Sequence, residues 1–360
     1  MLAVALYAAF SLLAVLTSSQ KAAAVGDFAR IALPFAFLWA GAGAFESGLS
    51  PAVLSWVLAS YAVVPVITGA LQAAGIVDPV EGAVGSPGGV MRVTGLYQHP
   101  YDIAMRCSVA FPFALSLGMS LRRRPVRYAF LVWGVVLALA GTAALVRTCA
   151  VAIFGQIVTW LLLYRRRFLA LSVIGLSVAS VIVVPPFRAI VTEAWRPIRE
   201  GAIYELGTGR AWLFVAQFSA FNASSLFGKA FGHGLHMVPS LNVEYAPIPA
   251  VALGSVDLGE GNIGAHDQYL RALTETGIFG LLALLAILAR AAWLVARAWR
   301  LHKHEPVGDF AAATLVLVLS VSVTGLSYQP LDQPAVTWPL LLAIGYAASA
   351  MGRPRDNRAN

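Results

Sequence analysis

The chain has 360 residues, 59% of them hydrophobic and only 12% charged, with a formal net charge of +8. Apolar runs of about 17 to 25 residues recur along it, the length a helix needs to cross the hydrocarbon of a bilayer. That pattern excludes an ordinary soluble enzyme and predicts a polytopic membrane protein.

In chain order the predicted spans cover residues 1–17, 28–45, 51–74, 101–121, 128–146, 148–164, 168–187, 267–289, 310–328 and 335–351. The runs are continuously apolar and lack the alternation of barrel strands, so they are read as about ten helices. The first run could be a signal peptide, since Ala22, Ala23 and Ala24 offer a cleavage site, but no positive region precedes it and a retained span is expected. The fold class is therefore an all-α polytopic membrane protein. Its expected organisation is seven spans over 1–187, a large loop over 188–265, and three spans with a tail over 266–360.

Basic residues orient the threading. Arg122, Arg123, Arg124 and Arg127 follow the fourth span, Arg165 to Arg167 the sixth, and Arg290, Arg297, Arg300 and Lys303 the eighth, while Arg353, Arg355 and Arg358 close the chain. With ten spans all four clusters lie on one side, which the positive-inside rule makes cytoplasmic. Both termini are then inside, and segments 75–99 and 188–265 are outside. The basic surplus sits in those clusters, whereas 188–265 holds five basic residues against six acidic ones. With no basic-aromatic groove or nucleic-acid motif, nucleic acid is excluded as a partner.

The outer loop carries helical patterns. Residues 188–198 have an apolar face (Ile190, Val191, Ala194, Trp195) opposite a charged one, as an interfacial helix would. A second helix is predicted from Thr208, its expected N-cap, to about Asn222, with Trp212, Val215 and Phe218 among its apolar residues. Gly228, Gly232 and Gly234 then break the helix, and Pro239, Pro247 and Pro249 predict an extended, lid-like stretch.

Candidate chemistry lies among the few charged groups at the outer membrane surface. Arg147 stands in the turn between spans five and six, Arg210 opens the second loop helix, and His266 opens span eight. Each has a plain structural reading: Arg147 as a snorkelling anchor, Arg210 as a partner of Glu205 or Glu200, and His266 as a polar cap beside Asp267. In the functional reading, the positive end of the helix dipole keeps the His266 ring neutral and able to accept a proton, and the same end attracts anions. Arg92 and His99 face the same side and are candidates for contact with substrate. Cys107 and Cys149 fall near outer helix ends, where a disulfide is permitted but inert helix residues are expected. His233 and His236 have i, i+3 spacing without a third ligand, so no metal site is expected. Asp102 and Arg106, i and i+4 near the outer end of span four, are expected to neutralise each other and fix helix packing.

Several of these pieces occur together in one family. The segments Leu145-Val146-Arg147-Thr148, Gly209-Arg210-Ala211-Trp212 and His266-Asp267-Gln268-Tyr269-Leu270, the last followed by Glu275-Thr276-Gly277-Ile278-Phe279-Gly280, resemble motifs of the bacterial O-antigen ligase and polymerase superfamily. Phe227 to Gly234 is similar to that family's glycine-rich turn, and Arg92-Val93-Thr94-Gly95 with His99-Pro100 is similar to an earlier element. The likeness covers roughly residues 90–290. It departs where members carry Asn and this chain has Asp267, where a small residue commonly stands at the position of Val146, and in span number, since members commonly have about a dozen spans.

The resemblance implies a GT-C-like fold in the bacterial inner membrane, with an active site facing the periplasm. It implies transfer of a glycan from undecaprenyl diphosphate to an acceptor sugar hydroxyl, on lipid A-core for a ligase or on another lipid-linked glycan for a polymerase, and the motifs tilt toward the ligase. His266 would be the base, Arg147 and Arg210 would stabilise the diphosphate, and Arg92, His99, Tyr269 and Lys229 would bind substrate. The arginines would do the electrostatic work usually given to a divalent cation, so neither metal nor cofactor is expected. The rival class is a transporter: Arg271 and Glu275 form an i, i+4 pair near the start of span eight, and Pro65 and Pro112 could break helices, yet most spans lack charge.

Overall fold

The computed structural model describes residues 2–80, 93–97, 99–144, 146–183, 192, 196, 198–201, 211–247 and 267–352, with only the backbone of Arg147 and of residues 178–183. All regular structure among them is helical. The helices are α1 (Leu2–Thr17), α2 (Lys21–Ala32), α3 (Ala36–Glu46), α4 (Pro51–Ser60), α5 (Val63–Ala73), α6 (Pro100–Ser120), α7 (Arg124–Ala143), α8 (Arg147–Leu163) and α9 (Arg167–Val183). They continue with α10 (Ala211–Ala223), α11 (Leu226–Phe231), α12 (Val238–Glu244), α13 (Gln268–Leu301), α14 (Pro306–Thr324) and α15 (Pro334–Ser349).

Proline begins many of them. Pro51, Pro100, Pro125, Pro239 and Pro334 sit in the first turn of α4, α6, α7, α12 and α15, where the missing N–H would have no intrahelical partner anyway. This corrects the expectation of an extended stretch at Pro239, which instead starts a short helix. In α4 the Ser50 hydroxyl also accepts from the Val53 N–H at 3.2 Å.

Seven helices, among the described residues, are long and apolar enough to cross a membrane: Lys21–Glu46, Pro51–Ala73, Pro100–Ser120, Arg124–Ala143, Gln268–Leu301, Pro306–Thr324 and Pro334–Gly352. Three further apolar helices are shorter. The chain is a polytopic membrane protein by these lengths and compositions. α13 runs beyond the expected end at residue 289, because Arg290 and Arg297 keep helical spacing and both lie over the Trp293 ring, at 4.3 and 5.4 Å. The expected helix over 188–198 lies largely outside the described residues, as does Thr208. α10 buries Trp212, Leu213 and Ala216, while Val215 and Phe218 are exposed.

The chain packs as two compact units: residues 1–32, 166–287 and 325–329 in one, and residues 33–165, 288–324 and 330–360 in the other. In the second unit α6 is the central helix, flanked by α4, α7, α8, α14 and α15. Its buried face carries Ile103, Phe111, Phe113 and Leu117. Polar groups there are paired across helices. The Gln156 amide on α8 donates to the Ser108 carbonyl at 3.0 Å and lies 3.1 Å from the Ser108 and Ser320 hydroxyls, tying α8 to α6 and α14. Cys107 and Cys149 are free and buried, with the Cys149 thiol directed at the Ala104 carbonyl at 3.0 Å. α3 and α15 cross closely at Gly41 and Gly345, where a side chain on either would run into the other helix's backbone.

In the first unit α1 packs on α2 and α11, and α10 packs on α11 and α12. Its distinctive feature is the N-terminal third of α13, which is broken at Gly277 (φ 72°, ψ −173°).

Candidate functional site

Asp267 builds the start of α13. Its carboxylate accepts from the Leu270 N–H at 2.6 Å, the arrangement of an N-cap, and the residue is only 6% exposed. Burial pushes this carboxyl above the usual carboxylate range, and the backbone donors of Leu270 and Tyr269 pull it part of the way back. The Gln268 N–H donates to the Gly325 carbonyl at 2.8 Å. The helix that begins directly after His266 is therefore held by a side-chain cap and a backbone tie. An asparagine at this place would accept the same bond through its amide oxygen.

The two glycine-containing segments form one interlock. α11 starts at Ser225, whose hydroxyl accepts from the Gly228 N–H at 3.1 Å, and ends as the Gly232 N–H donates to the Gly228 carbonyl at 2.7 Å. The chain then turns along α13: the His233 N–H donates to the Thr274 carbonyl at 2.9 Å and the Gly234 N–H to the Glu275 carbonyl at 3.1 Å. In an unbroken helix those carbonyls would serve residues 278 and 279; the break at Gly277 turns the ladder aside and the glycine turn takes the bonds. Gly232, Gly234 and Gly277 all have left-handed φ (82°, 105° and 72°). A Cβ on Gly232 would strike the Glu275 backbone, one on Gly277 the Ala230 backbone, and one on Gly234 the backbone of Ser18. Phe10, Phe231 and Phe279 close the interlock with ring centroids 5.5 to 6.3 Å apart.

Next to it lies a charge cluster. Arg271 donates from Nε to Glu275 at 2.8 Å and from Nη2 to Asp27 at 2.7 Å. His236 Nδ1 lies 3.1 Å from the same Asp27 carboxylate, and the exposed Arg30 approaches it at 3.5 Å. Glu275 and Asp27 are buried, so the guanidinium bridges two carboxylates withdrawn from water. Arg271 and Glu275 are thus more than a local helix pair. Asp27 and His236 were not among the residues singled out as their partners, since nothing in the sequence ties a lone acid near residue 27 to α13. His233 and His236 diverge, with His233 Nε2 lying 2.7 Å from the Ser224 hydroxyl.

Of the candidate residues, Arg92, Arg210 and His266 lie outside the described residues. Arg147 is the first residue of α8, after the extended Val146, and only its backbone is described. His99 is exposed at the extended N-cap position of α6, its ring 5.9 Å from that of Tyr101. Lys229 is half-buried in the last turn of α11, and Tyr269 is half-buried in the first turn of α13. Lys229 and Tyr269 belong to the unit that holds the interlock, whereas His99 and Arg147 belong to the other.

No protein-family model matches this chain, and no curated protein matches it.

Proposed function

We propose that the chain transfers a glycan from undecaprenyl diphosphate to an acceptor sugar hydroxyl at the periplasmic face of the bacterial inner membrane. The proposal includes a GT-C-like arrangement of about ten spans, with the outer loop over the active site. The observation that carries it is the interlock: the glycine turn that ends 227–234 is bonded to α13 at Thr274 and Glu275, where the segment 275–280 begins, and both segments resemble family motifs. That feature braces α13 about two turns after its start at Gln268.

The reaction needs three things from the protein. His266 takes the proton as the acceptor oxygen bonds to the anomeric carbon, and it serves best as a neutral ring near neutral pH. The bond from that carbon to the diphosphate oxygen breaks, and the electron pair leaves on undecaprenyl diphosphate. Arg147 and Arg210 offer guanidinium groups to the growing charge, and a single displacement inverts the anomeric centre. Arg92, His99, Tyr269 and Lys229 are assigned to substrate binding.

Purified protein given a defined lipid-linked glycan and lipid A-core, with no ion gradient, should yield the ligated product, and His266→Ala should lose turnover while retaining fold and donor binding. Extension of the donor itself would assign the same chemistry to a polymerase. Wild-type-like turnover in His266→Ala would remove the base, and movement of donor across the membrane without consumption would favour a transporter.

A further inference from the structure

The span Pro51–Ala73 is interrupted between α4 and α5, and α7 passes alongside. Trp133 of α7 fixes the crossing. Its indole N–H donates at 2.8 Å to the Ala59 carbonyl in the last turn of α4, one of the acceptors that a helix end leaves without an intrahelical partner. Beside that bond the helices do not close. An open groove of about 270 Å³ remains, lined by Trp56, Ser60, Val63, Ala129, Phe130 and Trp133, all within one compact unit. The Ser60 hydroxyl donates to the Val57 carbonyl of its own helix at 3.0 Å, and the Trp133 N–H is spent on Ala59. The side chains of the groove therefore hold no unspent donor and present aliphatic and aromatic faces.

A charged counterpart stands at the start of the same helix. Arg122, Arg123, Arg124 and Arg127 are exposed there, and none of the ion pairs among the described residues includes them. Arg127 precedes Phe130 by three residues and so shares its face of α7. At 1.5 Å per residue, Phe130 and Trp133 lie about 9 and 14 Å along α7 from Arg124, within the roughly 15 Å of hydrocarbon in one leaflet. We propose that this groove seats one acyl chain of an anionic phospholipid whose headgroup phosphate lies at the arginines. The apolar lining takes the chain, and the unpaired charge, with the positive end of the α7 dipole, selects the headgroup. A second copy packed here about a two-fold axis would instead bring two arginine clusters together. The groove lies on the half of α7 remote from its end at Ala143, beyond which Arg147 begins α8, so it stands apart from the proposed transfer reaction.

The test titrates phosphatidylglycerol and phosphatidylcholine, matched in acyl chains, onto the purified full chain in neutral detergent and reads bound lipid by native mass spectrometry. Phosphatidylglycerol should bind more tightly. Arg124→Gln and Arg127→Gln should each weaken it about fivefold and leave phosphatidylcholine unchanged. Ala129→Phe, which fills the groove from an exposed position, should weaken both lipids about tenfold, the equivalent of roughly two buried methylenes. Its unfolding midpoint should stay near that of the parent. Equal retention of the two lipids overturns the proposal, because the arginines would then select nothing. Unchanged binding in Ala129→Phe also overturns it, leaving a headgroup contact without a seated chain. A dimer that Ala129→Phe converts to monomer would make a second copy the occupant, and displacement of phosphatidylglycerol by farnesyl diphosphate would make it a prenyl chain; either result overturns the assignment. If an arginine variant does not fold, the comparison of the two lipids and Ala129→Phe still decide.

Discussion

The two units solve the same problem, close approach of backbones, in opposite ways. In the unit containing α6, glycines at Gly41 and Gly345 keep ordinary helical backbone and serve only to bring α3 and α15 together, with polar side chains linking helices from within the ladder. In the unit containing the start of α13, Gly232, Gly234 and Gly277 adopt left-handed φ, the helix is broken, and the freed carbonyls are bonded by another segment. The first arrangement is a packing solution and the second a positioning one. A helix is interrupted there, and charges from three distant segments are gathered along it.

The contrast can be broken one residue at a time. Gly277→Ala carries both a left-handed φ and a clash with Ala230, and should cost about 4 kcal/mol; the midpoint of unfolding in detergent checks it, and a near-normal midpoint would mean the interlock is not rigid. Arg271→Met should cost about 3 kcal/mol by leaving Asp27 and Glu275 buried without their shared cation. Adding Asp27→Asn should recover part of that loss, and no recovery would place the damage elsewhere. Gly345→Ala faces a clash with Leu38 but no backbone penalty, so about 2 kcal/mol is expected, with a smaller drop in midpoint than for Gly277→Ala; a larger drop would invert the comparison. Asp267→Ala should cost about 1 kcal/mol through loss of the cap, while Asp267→Asn should change it by only a few tenths. Equal effects of these two substitutions would show that charge, not capping, is the role of Asp267.

Much of the helix plan was legible in the sequence. The runs at 51–74, 101–121 and 310–328 appear as α4 with α5, α6 and α14, with ends a few residues away, and the proline at the start of several helices marks those ends locally. The i, i+4 relation of Arg271 and Glu275 was equally visible. Its completion by Asp27, 244 residues away, was not, because ion pairing across a chain leaves no periodic trace. Helical spacing likewise places Arg106 close enough to Asp102 for their charges to act on each other, but its contacts with the rings of Tyr61 and Tyr97, which come from other segments, left no trace in that spacing. Pro239 was misread for a related reason, since the same residue that ends one helix can begin another.

By itself the sequence determined that the chain enters a membrane and where its apolar helices run. A bilayer offers the backbone no water, so each crossing segment must satisfy its hydrogen bonds within itself, and that demand is written locally in composition and run length. Only the tertiary structure decided that α13 breaks at Gly277, that the glycine turn bonds to the break, and which partners Asp27, Arg271 and Arg106 take. Those outcomes depend on which surfaces meet, and two groups distant in sequence gain or lose several kcal/mol only when packing brings them within bonding distance and away from water.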